Sequence, residues 1–216
     1  MSYFIALVLA VLLAFSYKIV DITVGVIIGR TLYRKIENEI IYIWGTLLTV
    51  SIYFFEDNYV LRLPVHYDSI VLLVLITAIT NVYISQYSGY KPSGKKNILN
   101  FVIMYPIFEE VIFRGLIIPI LNKSFPVYSN FEIFNTPVTV PILLSSFLFA
   151  VAHLQYYRFN QTSIKFMLFA FFGGIIFGVI SDHTSSIVFS VFLHMEFNLF
   201  SVYYSKKSAA NKVLQN

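Results

Sequence analysis

Glu109, Glu110, Arg114, His153, His194, Glu196 and Asn198 lie inside apolar stretches of this sequence, and they sort into three groups by spacing. Glu109, Glu110 and Arg114 lie near the middle of ILNFVIMYPIFEEVIFRGLIIPIL. His153 lies toward the end of VTVPILLSSFLFAVAHL, and His194, Glu196 and Asn198 share SSIVFSVFLHMEFNLFSVYY. Ionisable groups in such surroundings are costly and mark functional sites by default. On a helix Glu110 and Arg114 share a face at i, i+4 and form an intrahelical ion pair. Glu109 projects about 100° away and is free to face another element. His194 and Asn198 are also i, i+4 and project toward one neighbour, with Glu196 on nearly the opposite face. Pro106 removes a backbone donor just before the carboxylates, which predicts a kinked helix beside a polar cavity.

The chemistry open to this set is water activation. A carboxylate paired with an imidazole and partly desolvated acts as a general base. A second imidazole and an amide N–H₂ stabilise a developing oxyanion, and together these serve amide hydrolysis. Two histidines and a glutamate (Glu109, His153 and His194) are equally a zinc ligand set with an open position for water. Both chemistries remain open at this point. No GxSxG, HExxH or glycine-rich phosphate loop competes with them. Taken singly, His153 reads as a packing residue and Glu110–Arg114 as glue between helices; the conjunction on three segments carries the catalytic reading. Lys18 and Asp21, at i, i+3, read as a local pair at a membrane boundary. Glu196 reads as structural, as do His66 and His183 in outer loops.

The elements that must position these residues follow from composition. Of 216 residues 58% are hydrophobic and 12% charged, with 15 Lys+Arg against 11 Asp+Glu. A soluble domain carries roughly twice that charged fraction. The balance excludes a disordered chain and a charge-driven nucleic-acid binder. The absence of cysteine excludes disulfide frameworks, thiolate zinc sites and cysteine nucleophiles. Apolar stretches recur at 3–28, 39–55, 69–87, 98–122, 138–156, 164–181 and 185–204, each near the length needed to cross ~30 Å of hydrocarbon. They predict an all-α fold, a polytopic membrane helix bundle of about seven transmembrane helices. The first stretch lacks a basic n-region and reads as a retained helix, either one tilted span or a span plus an interfacial piece. Eleven of the basic residues fall in alternate loops on one side and two on the other, which puts the N-terminus outside and the C-terminus in the cytoplasm. Tyr87 and Tyr90, Tyr156 and Tyr157, and Tyr203 and Tyr204 fall at inner helix ends, as an aromatic belt does. Gly174 and Gly178 form a small-xxx-small pair that permits a close crossing. With a rise of 1.5 Å per residue, Glu109 and His194 both lie about 15 Å from the inner ends of their helices.

With these residues in place, the sequence resembles the CPBP family of intramembrane proteases, also called the CAAX-protease or ABI family. The motif EExxxR matches Glu109, Glu110 and Arg114 (EEVIFR), FxxxH matches Phe149 and His153 (FAVAH), and HxxxN matches His194 and Asn198 (HMEFN). The ordered triple covers about residues 98–204. This divides the chain into variable N-terminal helices (1–97, about three spans), a protease core (98–204, about four spans) and a cytoplasmic tail (205–216). The resemblance implies that Glu109 and His153 activate water and that His194 and Asn198 stabilise the oxyanion. Glu110 and Arg114 then support the site, with Phe149 completing the second motif. It also implies a membrane-embedded or membrane-associated peptide or protein as substrate, in a bacterial plasma membrane. By analogy with small bacterial members the substrate is not prenylated. No obligatory metal is expected, zinc or another divalent ion being the alternative. The competing classes are a non-catalytic bacteriocin-immunity or scaffold membrane protein and a small transporter or proton carrier; no internal repeat supports the latter.

Overall fold

The computed structural model describes residues 1–126, 129, 131–155 and 158–214, with 210–214 described by backbone only. Among the described residues, and short 3₁₀ turns aside, eight helical runs follow in chain order. They are α1 (Tyr3–Ala14), α2 (Ser16–Ile36), α3 (Ile40–Ile52), α4 (Val71–Ile84), the composite α5 from Lys95 to Asn122, α6 (Val140–Ala152), α7 (Gln161–Thr184) and α8 (Val188–Leu214). A two-stranded antiparallel hairpin, β1 (Glu132–Ile133) with β2 (Thr136–Pro137), lies between α5 and α6. Its turn residues Phe134 and Asn135 both have positive φ, as a tight hairpin with matching twist requires. The fold is all-α around this one small exception.

The centre of the bundle is α5. Every residue from Glu110 to Leu121 is buried. Ala6, Ala10 and Ala14 form an i, i+4 stripe that lays α1 against the same core as Leu116, Ile117 and Leu121. On the other side, α6 and α7 cross closely because Gly174 and Gly178 expose backbone there. A Cβ on Gly174 would stand 3.2 Å from Ser146 Cα, and one on Gly178 would stand 2.9 Å from Ile142 Cγ2. Both helices are also capped in sequence. Thr139 Oγ1 accepts from Ile142 N ahead of Pro141, and Asn160 with Ser163 forms a capping box. Outside the bundle, the Asp57 carboxylate in the loop after α3 meets Lys123 Nζ at 2.9 Å at the end of α5. That hydrogen bond, reinforced by Arg62, holds the Asp57 carboxyl below its usual range.

Several sequence expectations change. The first stretch is not one helix: α1 and α2 break at Phe15 with a 60° bend, and α2 is interrupted again where Gly29 takes φ 75°. The stretches at 39–55, 69–87 and 138–156 contain α3, α4 and α6 of 13, 14 and 13 residues. Such helices measure about 20 Å, less than the ~30 Å of a hydrocarbon core. Among the described residues one helix, Gln161–Thr184, is long and apolar enough to cross a membrane alone, or two if the bent N-terminal pair counts as one span. His183 lies in the last turn of α7 rather than in a loop, because that helix continues three residues past the expected end. The tail expected from 205 is helical as far as Leu214. Tyr87 and Tyr203 are exposed, but Tyr90 packs inward, stacked on Phe166 at 4.3 Å. Tyr156 and Tyr157 lie outside the described residues. Lys18 and Asp21 pair at 2.9 Å as expected.

The α6–α7 crossing leaves no room for a larger residue. Gly174→Val is expected to cost about 1–3 kcal/mol by overpacking, read as a lower melting temperature in detergent than for a Gly173→Val control, where a Cβ meets nothing within 4 Å.

Candidate active site

The helix that carries the two glutamates is not a regular α-helix. It runs as α-helix over Lys95–Leu99, widens to a π-turn over Asn100–Met104, and returns to α-helix over Tyr105–Glu110. It widens again over Val111–Ile117 before ending as Ile118–Asn122. Glu109 and Glu110 therefore sit on a short α-helical piece between two π segments, a distortion that recurs at functional sites. In the first π segment Tyr105 N donates to Asn100 O, an i→i+5 bond. The next bond in that register would run from residue 106 to Phe101 O, and Pro106 has no N–H to supply it. The freed Phe101 carbonyl is taken instead by Asn198 Nδ2 at 2.7 Å. The proline thus creates the acceptor that fixes Asn198 on α8.

Glu110 is the anchor of the site. Its Oε1 accepts from Arg114 Nη1 at 2.9 Å and meets His194 Nδ1 at 2.8 Å, with the glutamate and arginine side chains 0% and 1% exposed. The i, i+4 pair expected from sequence is present, and His194 joins it from α8. An imidazole nitrogen facing a carboxylate carries the proton as donor, so Nδ1 is the N–H and Nε2 faces the other carboxylate, 3.7 Å from Glu109 Oε2. His194 consequently bridges both glutamates rather than standing apart from the EE pair. Arg114 lies over the Phe149 ring at 4.4 Å, a cation–π contact in a desolvated setting. The same ring meets His153 and His194 edge-on at 5.2 and 5.9 Å. Phe149 is the common wall of the motif residues.

His153 is held by its own helix: Nδ1 lies 3.0 Å from Phe149 O, which makes Nδ1 the donor and leaves Nε2 as the available base. No hydrogen bond joins His153 to Glu109. The two side chains instead border a small cavity of about 10 Å³, with Ala14, Tyr17, Trp44 and Gln155 among its other walls. That is about the room one water molecule needs. His153 also borders a second cavity of about 580 Å³ between α4, α7 and α8, with His194, Asn198, Asn81 and Phe177. Its remaining lining is largely aliphatic and aromatic. Glu196 faces away from the motif residues, accepting from Asn81 Nδ2 at 3.3 Å, and Asn81 also donates to Leu193 O.

All seven motif residues thus converge on one region, but as two sub-sites that share Phe149 and His153. Among the described residues, no three His, Cys, Asp or Glu side chains are grouped to hold a metal ion. Sequence reasoning passed over Asn81, Phe177, Tyr17 and Trp44. Asn81 carried the same signal as Asn198, a carboxamide inside an apolar helix; the other three look like any packing residue.

Residues 95–200 match a family model described as type II CAAX prenyl endopeptidase Rce1-like. That segment begins at α5 and contains every motif residue. No curated protein and no solved structure matches the chain.

The Glu110–Arg114–His194 group has no solvent to fall back on. Arg114→Ala leaves the Glu110 carboxylate buried without its cation and is expected to cost about 3–5 kcal/mol. Thermal unfolding in detergent measures this, and Glu196→Gln, at a half-exposed position, should shift the transition far less.

Proposed function

Because the chain belongs through residues 95–200 to the Rce1-like family of type II CAAX prenyl endopeptidases, whose members are membrane-embedded, we propose that it is an intramembrane endopeptidase working by glutamate- and histidine-activated water. The observation that carries this reading is the water-sized cavity bordered by both Glu109 and His153. Glu109 takes a proton from water held there, and His153, with Nε2 available, shares that proton and returns it to the leaving amine. The hydroxide oxygen bonds to the scissile carbonyl carbon and the carbonyl electron pair moves onto oxygen; that pair then returns to re-form C=O as the C–N bond breaks and the amine leaves with the proton from His153. Asn198 and His194 border the large cavity and stabilise that oxyanion, His194 through Nε2–H with both ring nitrogens protonated between the two carboxylates. Asn198 has a second N–H beyond the one spent on Phe101 O, so its carboxamide is both fixed and still a donor. Glu110 and Arg114 hold His194 and do not exchange protons with substrate.

The large apolar cavity supports a membrane-associated peptide or protein as substrate, its apolar part seated between α4 and α7. Prenylated and unmodified peptides are the two forms to compare, and we favour the unmodified. The site reads as needing no obligatory metal, since the paired glutamates and His194 already supply the charge. We place the chain in a bacterial plasma membrane with the N-terminus outside and the C-terminus in the cytoplasm. The balance of basic residues supports that topology, and a C-terminal reporter active only outside the cytoplasm would reverse it.

Two measurements test the mechanism. Glu109→Gln and His153→Ala are each expected to lower hydrolysis of quenched peptides, prenylated or not, by a factor on the order of 10² to 10⁴ at unchanged protein level. Full hydrolysis by both variants would remove Glu109 and His153 from the catalytic machinery, whereas function in cells that survives both substitutions at unchanged protein level would return the chain to a non-catalytic immunity or scaffold role. Exhaustive chelation is expected to leave the wild-type rate unchanged; loss with recovery on zinc add-back would instead put a metal on Glu109, His153 and His194.

A further inference from the structure

Gln155 lies two residues beyond His153 on the same 3₁₀ turn, yet its side chain reaches into the N-terminal part of the chain. Its Nε2 donates to Ala14 O at 3.0 Å, and its Oε1 accepts from Lys18 N at 3.2 Å. Neither end of the amide is ambiguous, because a backbone carbonyl only accepts and a backbone N–H only donates. Ala14 and Lys18 are i, i+4, so in an unbroken helix Lys18 N would donate directly to Ala14 O. The carboxamide stands in place of that bond. The bonds that flank the break, Phe15 N to Val11 O and Ile19 N to Phe15 O, are present at 3.1 Å. A side chain inserted in the i→i−4 ladder is a recognised cause of a sharp kink. Here no proline or glycine lies between Ala14 and Lys18 to supply another, and the two helices diverge by 60°.

The bend has a consequence for the small cavity. Ala14 and Tyr17 stand on either side of the break, and both wall the space bordered by Glu109 and His153. Trp44 is a third wall, set edge-on to Tyr17 at 5.4 Å, and its Nε1 donates to Ser16 Oγ within the bend at 3.0 Å. Straightening the helix would move Ala14, Tyr17 and Ser16 together.

We propose that Gln155 is a positioning residue for catalysis: by occupying the Lys18–Ala14 bond it holds the α1–α2 bend against the His153 turn and closes the water cavity with residues outside the matched segment. The proposal rests on the peptidase reading for its kinetic part only. Trp44 is the one tryptophan in the chain and reports the bend without any substrate.

The test is Gln155→Met, which keeps the length of the side chain and removes both hydrogen bonds, so that the main-chain bond can re-form. On a quenched, unmodified or farnesylated peptide, kcat is expected to fall by about tenfold or more with KM within about twofold, since misplacement rather than binding is affected. Trp44 emission is expected to shift to the red and become more quenchable by acrylamide. Adding Lys18→Pro to Gln155→Met removes the competing N–H, breaks the ladder again, and is expected to recover part of both signals. Unchanged emission, unchanged kcat, a rise in KM alone, or no recovery with proline would each overturn the proposal. A wild-type protein that cleaves neither peptide would count against the peptidase reading, and the Trp44 and proline results would still decide whether Gln155 makes the bend.

Discussion

The one interaction on which the other features depend is the buried meeting of Glu110, Arg114 and His194. Charges removed from water to this degree are tolerated only when each is paired in good geometry, and an unpaired member costs several kcal/mol. That requirement fixes α8 against α5, because His194 must reach Glu110 Oε1. It fixes α6 as well, because the Arg114 guanidinium needs the Phe149 face at 4.4 Å. Phe177 brings in α7, its ring 5.7 Å from the same cation and 5.9 Å from the His194 ring. Four helices are thus ordered around one ion pair. Glu109 and His153, to which we assign water activation as a proposal, sit at its edge and border a small cavity.

The division between the two glutamates is a division of labour made by depth. Glu110 is 0% exposed and spends its carboxylate on neighbours, whereas the Glu109 side chain is 16% exposed and borders a cavity. Their adjacency in sequence is what permits this: a step of about 100° separates a carboxylate that must be neutralised from one that must stay available. The π segments on either side adjust the angle at which that piece of helix faces α6 and α8.

Much of this was legible from residue types. The i, i+4 spacing of Glu110 and Arg114, the shared face of His194 and Asn198, and the glycine pair at 174 and 178 all had a geometric meaning that the fold realises. The partner of each group was less legible. Spacing along one helix says which side chains are neighbours on that helix but not which helix they meet, so the bond from His194 to Glu110 was not foreseen. Helix breaks were harder still. Pro106 signalled a kink, but the π-turns depend on long-range packing of α5, and the bend at Phe15 comes from a glutamine 140 positions away. The shortness of α3, α4 and α6 was hidden for the same reason: hydropathy continues past the point where the backbone stops being helical.

The carbonyl that Pro106 frees has a bearing on how this protein can change its length. Asn198 finds Phe101 O only if the π register places that carbonyl opposite it, and His194 finds Glu110 one turn further on. Two contacts, between residues 97 and 84 positions apart, thus lock the phases of α5 and α8 together like teeth on a pair of racks. A single inserted or deleted residue between Phe101 and Glu110, or between His194 and Asn198, would rotate one contact away while the other held. The β1–β2 turn at Phe134 and Asn135 carries neither contact, so a residue inserted there would leave both in register. In this fold, variation in length belongs to the connections, and the two motif helices are fixed in register.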